Sequence, residues 1–266
     1  MIKFTIITIT YNAEKALPST VDSVLAQTYP HIEHLIIDGA STDGTLDVAK
    51  DYMQRSYAAS NGHDVRITSE PDNGLYDAMN KGLAQASGDY LVFLNAGDFL
   101  PHPDVIEQVI KGGALETTPS GLWPAVLYGD TDIVDGDGHF LCHRHLSPPK
   151  RLTWRSFIHG MLVCHQAFYA RTDIARQVAF DRRYRYSADV DWCIRVMKEG
   201  ARRRLPMRNV NAVVVNYLQE GQTTLHHKES LHERYQVMCE HYGRISTVLM
   251  HGWFAVRALK RKLFTH

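Results

Sequence analysis

Apolar and β-branched residues run unbroken over residues 4–10, and residues 17–27 then place Leu17, Val21, Val24 and Leu25 at helical spacing. This opening predicts strand, loop, helix. The unit repeats, with a buried strand over residues 32–37 and a helix over 45–53 entered through the cap-rich Ser41-Thr42-Asp43-Gly44. Residues 55–64 are polar and predict an exposed loop. A short strand follows over 65–69, a helix over 75–86, a turn at Ser87-Gly88-Asp89 and a fully apolar strand over 90–94. Strands alternating with helices predict an α/β fold built on a doubly wound, mostly parallel sheet.

Beyond residue 100 the rhythm changes. Residues 103–111 predict a short helix closed by Gly112-Gly113, residues 125–134 a strand, and Asp135-Gly136-Asp137-Gly138 a turn into an extended segment at 139–141. Ser147-Pro148-Pro149-Lys150 marks a joint, because adjacent prolines break helix and sheet alike. Residues 189–200 predict a helix with Val190, Ile194 and Met197 on one face, and residues 245–264 predict an amphipathic helical tail. The chain thus divides into a regular half (1–134), a less regular half (135–235) and the tail (236–266).

Composition removes several classes of function. Lys plus Arg equals Asp plus Glu at 29 each, so no global basic field draws the chain to nucleic acid. The four cysteines are widely spaced, which suits a reducing cytoplasm better than a disulfide framework. The N-terminus enters a strand without a basic leader, and nowhere do 18 apolar residues run together, so the expected location is cytoplasmic.

In an open α/β sheet, ligands bind beyond the carboxyl ends of the strands. Four loops there are rich in carboxylates and amides: Thr10-Tyr11-Asn12, the 38–44 loop, Glu70-Pro71-Asp72-Asn73-Gly74, and Asn95-Ala96-Gly97-Asp98. Asp, Asn and Gly favour turns in any protein, but four such loops on one rim point to a site. None is a G-x-G-x-x-G or a P-loop. Phosphate charge must then be met otherwise, and Asp98 suits a hard divalent cation, Mg²⁺ or Mn²⁺, bridging two phosphate oxygens.

At these residues the chain resembles the family 2 glycosyltransferases of the GT-A fold, over about residues 1–220. Ile9-Thr10-Tyr11-Asn12 looks like the motif after the first strand, and Asp38-Gly39-Ala40-Ser41-Thr42-Asp43-Gly44 like the D-G-S-T-D-G loop. The long segment from Glu70 to Gly82 is similar to that of transferases assembling bacterial polysaccharides. The resemblance implies a nucleotide-sugar donor, a UDP-sugar foremost, and a glycan or lipid-linked saccharide acceptor. It also implies that Asp38 accepts a hydrogen bond from the base, with Thr10, Asn12, Asn73, Lys81 and Asn95 around the nucleoside, phosphates or sugar. The family's D-x-D metal motif would fall on residues 94–98, where Asn95 replaces its first carboxylate and Asp98 survives.

The same resemblance aligns the catalytic base of an inverting displacement with Asp189, in Ser187-Ala188-Asp189-Val190-Asp191-Trp192. Asp191 is its competitor, since positions two apart on a helix point to different faces. Both also suit a helix N-terminus on dipole grounds alone. His165-Gln166 looks like the family's H-Q pair near the acceptor or diphosphate, although a lone histidine in an apolar stretch is often a core residue. Cys142, His143, His145, Cys164 and His165 match no structural zinc spacing. Gly221-Gln222-Thr223-Thr224, with His226 or His227, suits a loop over the donor. Trp253, Phe254 and the basic residues from Arg257 to Lys262 suit peripheral contact of residues 245–264 with an anionic bilayer. Two other classes fit less well: a sugar-phosphate nucleotidyltransferase, which would need a basic, Gly-rich first loop, and a non-catalytic nucleotide-sugar or glycan-binding protein on the same fold.

Overall fold

A computed structural model of the chain describes residues 1–219 and 227–264. Strands β1 (Phe4–Thr10), β2 (Ile32–Asp38), β3 (Asp64–Ser69) and β4 (Tyr90–Phe93) form a parallel block in the order β3-β2-β1-β4. Helices α1 (Leu17–Leu25), α2 (Thr45–Ala59) and α3 (Leu75–Gln85) make the crossovers. Every residue of β1 and β2 is buried, as expected of strands covered on both faces. Their polar members are satisfied inside: Glu33 accepts from Thr5, Ser87 and Lys3, and His34 lies 2.9 Å from both Thr8 Oγ1 and Tyr52 Oη.

The sheet continues through β7 (Phe168–Arg171), antiparallel to β4, and then β5 (Val126–Val134), antiparallel to β7. The hairpin strand β6 (Phe140–His143) pairs antiparallel with β5, while β8 (Met207–Leu218) runs parallel along the other edge of β5. The sheet is continuous across the proline joint, and Tyr128 on β5 ties that segment down by donating to Pro149 O and accepting from Leu152 N–H. Helix α4 (Val105–Gly113) and the short α5 (Thr172–Ala175) flank this half. Helix α6 (Ala188–Arg202) buries most of its length, and α7 (His227–Tyr242) and α8 (Arg244–Phe264) follow, broken at Gly243.

One local expectation fails. Residues 55–59 are the last turns of α2, not loop, because the inward stripe Thr45, Ala49, Tyr52, Ser56 continues unbroken. Arg55, which looked like a loop residue, reaches Asp51 one turn back and Asp22 on α1. The turn itself starts at Ser60 in the left-handed region.

Strand register fixes the functional rim. Thr10 lies opposite Asp38, and Asp38 opposite Ser69, so three strands end on one line. Ile7 lies opposite Phe93, and Leu94 N–H donates to Ile7 O, which brings the 95–98 loop out beside Thr10. Gly82 lets α3 close on the sheet: a Cβ there would meet Ile7 Cγ2 at 2.5 Å.

Candidate active site

Asp38 is buried at the end of β2 and saturated with donors. Thr10 Oγ1 (3.1 Å) and Ser41 Oγ (2.5 Å) donate to one oxygen, and Ser41 N–H (3.0 Å) and Ser69 Oγ (2.6 Å) to the other. Burial raises its pKa, but these hydrogen bonds outweigh burial and hold the carboxyl below its ordinary value. Asn12, in the left-handed region, links the first two loops: its N–H donates to Ser41 Oγ and its side-chain oxygen accepts from Thr42 N–H.

Asn73 is tied to the first turn of α3, since both its N–H and its amide nitrogen donate to Asp77. Lys81 folds back on its own motif, with Nζ 2.9 Å from Glu70 and 2.8 Å from Pro71 O. Both groups therefore sit on the expected rim with internal partners.

The loop after β4 is pinned from three sides. Thr20 on α1 donates to the carbonyls of Asn95 and Asp98 and accepts from Gly97 N–H. Gly97 adopts φ 99°, and a Cβ there would meet Leu218 at 2.8 Å, so β8 closes against this loop. Phe99 and Asn216 exchange backbone hydrogen bonds alongside. Asp98 is 4% exposed; one carboxylate oxygen accepts from Leu218 N–H (3.0 Å) and the other from the Gln166 amide (2.9 Å). Burial pushes this carboxyl up to about 6, against the opposing pull of Leu218 N–H, Gln166, His165 and Asn95.

Next to Gln166, His165 joins two of the expected groups. Its Nδ1 lies 3.1 Å from Asp189 Oδ2, and its Nε2 lies 3.2 Å from Asn95 Nδ2. An ionised carboxylate only accepts, so Nδ1 carries the proton toward Asp189 and Nε2 accepts from the Asn95 amide. Tyr76 Oη donates to the other Asp189 oxygen at 3.2 Å. Burial raises the pKa of Asp189, yet the hydrogen bond from His165, with the charge of Arg234, holds it below the usual carboxylate range. Asp98, Gln166, His165, Asn95, Asp189 and Tyr76 thus form one buried array. Asp38 stands at the same end of the sheet, two strands from β4, or about 10 Å at ordinary strand spacing.

Asp191 points elsewhere. It accepts from Arg195 one turn on and lies 2.8 Å from His241 Nε2 on α7, an arrangement that fastens α7 to α6. Glu233 on α7 accepts three successive backbone N–H groups, those of Arg185, Tyr186 and Ser187, just ahead of Asp189. Sequence reading missed both Tyr76 and Glu233. Tyr76 lay inside a motif already singled out, whereas nothing in the sequence around Glu233 signals a cap on another helix.

The residues at Asp98 can be tested against a divalent cation by their chemistry. They offer one buried carboxylate and, on Asn95, a buried side-chain oxygen with no hydrogen-bond partner. These are hard oxygen donors carrying a single charge, which fits a Mg²⁺ or Mn²⁺ site that draws its remaining ligands from phosphates and water. Elsewhere, Asp135, Asp137 and His139 bring ligand atoms within 4.8 Å of one another at the exposed β5–β6 turn. There Asp135 already accepts the N–H groups of Asp137 and His139. Gly221-Gln222-Thr223-Thr224 and His226 lie outside the described residues, as does the side chain of His227.

Comparison with known proteins matches this geometry to a family. A PGL/p-HBAD biosynthesis glycosyltransferase of Mycobacterium tuberculosis is 32% identical over 253 residues, covering 94% of this chain and 90% of that protein. The fold matches Staphylococcus aureus TarS solved with UDP-GlcNAc, with TM-score 0.67 and 18% identity over 89% of this chain, which spans 64% of the TarS chain. It also matches the mannosyltransferase PcManGT of Pyrobaculum calidifontis solved with GDP-Man and Mn²⁺, with TM-score 0.62 and 15% identity, covering 100% of this chain and 81% of that one. Residues 5–174, which carry the whole parallel block and its loops, match Glycosyl transferase family 2, and this glycosyltransferase with a GT-A fold belongs to that family.

Proposed function

We propose that the chain is an inverting transferase that moves a sugar from a nucleotide diphosphate, a UDP-sugar foremost, to a hydroxyl of a glycan or lipid-linked saccharide. The observation that carries this reading is the buried array joining Asp98 to Asp189 through Gln166, His165 and Asn95. Neighbouring residues of one segment, Gln166 and His165, bond to the diphosphate-side and the acceptor-side carboxylate respectively. Residues 1–134 serve as the donor half, 135–235 as the acceptor half and 236–266 as the tail.

Asp38 takes the N–H of the base, exchanging one of its hydroxyl donors, Ser41 or Thr10, for the nucleobase. Asn12, Asn73 and Lys81 line the nucleoside and phosphates; to face a phosphate, Lys81 leaves Glu70. Asp98, with the Asn95 oxygen, would hold Mg²⁺ or Mn²⁺, which supplies charge compensation for the leaving diphosphate. Asp189 removes the proton of the acceptor hydroxyl as its oxygen attacks the anomeric carbon, and the bond to the diphosphate breaks on the opposite face. His165 and Tyr76 fix the orientation of that carboxylate and keep it ionised until the proton arrives. A single displacement inverts the anomeric centre.

A panel of nucleotide sugars is tested by thermal shift with and without EDTA, and the product of the best donor is analysed by NMR. The reading expects a UDP-sugar to stabilise the chain only with Mg²⁺ or Mn²⁺, and an α-linked donor to yield a β-linked product. Retention of configuration would overturn the mechanism, and equal donor binding in EDTA would remove the cation from Asp98.

A further inference from the structure

Helix α8 has two unlike faces. Inward, Thr247 is fully buried and donates to Gly243 O, His251 Nδ1 lies 3.0 Å from Thr247 O, and the His251 ring packs edge-on against Tyr235 of α7 and against Phe254. Outward, Ile245 (80% exposed), Val248, Leu249 (69% exposed), Trp253 and Val256 are all open to solvent. At 100° per residue these five fall within an arc of about 140°, which makes a continuous apolar stripe rather than scattered exposure.

Charge narrows what such a stripe meets. From residue 244 to 266 the sequence holds Arg244, Arg257, Lys260, Arg261 and Lys262 and no Asp or Glu, although the whole chain is balanced at 29 against 29. Over residues 244–266 all of the formal side-chain charge is positive. A second copy of this helix would bring like charges together, whereas an anionic surface complements them. A helix of 21 residues is about 32 Å long, yet no helix among the described residues is apolar enough to cross a membrane. A helix with one apolar face, an interfacial Trp and basic residues at its end lies in the plane of a headgroup region.

We propose that the outer face of α8 docks the enzyme on an anionic lipid bilayer, with Ile245, Val248, Leu249, Trp253 and Val256 in the acyl boundary and the basic residues on the headgroups. The surface is separate from the buried array, so the proposal stands or falls independently of the catalytic reading. In a chain that carries its transferase site on a regular sheet, such a tail holds the site beside substrates anchored in the membrane.

The test is flotation of the full chain with vesicles of phosphatidylcholine alone and with added phosphatidylglycerol. Expected are flotation with the anionic vesicles only, release at high salt, and at least about a tenfold loss of bound protein in the double variants Leu249→Asp/Trp253→Ser and Lys260→Glu/Lys262→Glu. Circular dichroism and melting temperature should match the parent in both, because the apolar pair is solvent-exposed. Absence of flotation overturns the proposal, as does flotation that either variant leaves unchanged. Sedimentation showing a dimer that Leu249→Asp dissolves, without lipid binding, assigns the face to a second copy and overturns it equally.

Discussion

The proposed donor rim and the proposed acceptor rim of the sheet are built by different means. On the donor side, Asp38 and Asn12 meet partners from adjacent strands and their loops: Asp38 bonds to Thr10 and Ser69 as well as to Ser41 of its own loop, and Asn12 to Ser41 and Thr42. Parallel register sets these pairs, and a short motif encodes them. On the acceptor side, Asp189 meets His165 from the segment before β7, Tyr76 from α3, and a backbone held by Glu233 from α7. No single segment encodes that site. The matched family region ends at residue 174, so Asp189, the proposed base, lies outside it on the less regular half. The comparison teaches that a binding rim can be fixed by strand order, while the carboxylate proposed as base depends on how helices pack against it.

The largest expected effect falls on that carboxylate. Asp189→Asn should lower turnover by about 10²–10⁴-fold with donor KM within about twofold, measured by initial rates over a donor series. Near-parent turnover would remove Asp189 from the role of base and leave the acceptor rim without one.

Asp98 sharpens the comparison through pH. Burial raises its pKa from 3.8 to about 6, so the folded chain takes up a proton between those values and the ionised group opposes folding above them. Without metal, the stability of the parent relative to Asp98→Asn should therefore fall as pH rises from 4 to 7, by on the order of 3 kcal/mol. Urea unfolding of both proteins in EDTA reads this directly; a difference that stays flat across the window rules out the raised pKa of Asp98. Asp38 runs the other way, since its lowered pKa contributes stability that is lost only on acidification below the ordinary carboxylate range.

Asp191 separates position from chemistry, being two residues from Asp189 but bound to Arg195 and His241. Asp191→Asn should cost about 2 kcal/mol of stability, discounted for the partly exposed Arg195, and leave turnover within about threefold. A loss of turnover matching that of Asp189→Asn, at unchanged stability, would reverse the two assignments. The smallest effect belongs to Lys81→Met: the exposed pair with Glu70 is worth about 0.5 kcal/mol, while donor KM rises severalfold if Lys81 turns to the phosphates. An unchanged KM would confine Lys81 to its structural pair.

By itself the sequence determined the parallel block, its order of strand and helix, the family, and the loops on which Asp38, Asn95 and Asp98 stand. It could do so because runs of buried residues, turn chemistry and short motifs are local properties of the chain. It misread residues 55–59 as loop, because their polar surface hides the inward stripe through Tyr52 and Ser56. Only the tertiary structure decided that β7 and β8 lie beside the motif loops, that Gln166 and Leu218 hold Asp98, and that Asp189 rather than Asp191 faces His165. Two carboxylates two residues apart are equivalent to composition and to the helix dipole. They become different only when the helix is rotated against a core, and that rotation is fixed by Val190, Trp192, Ile194 and the rest of its buried face.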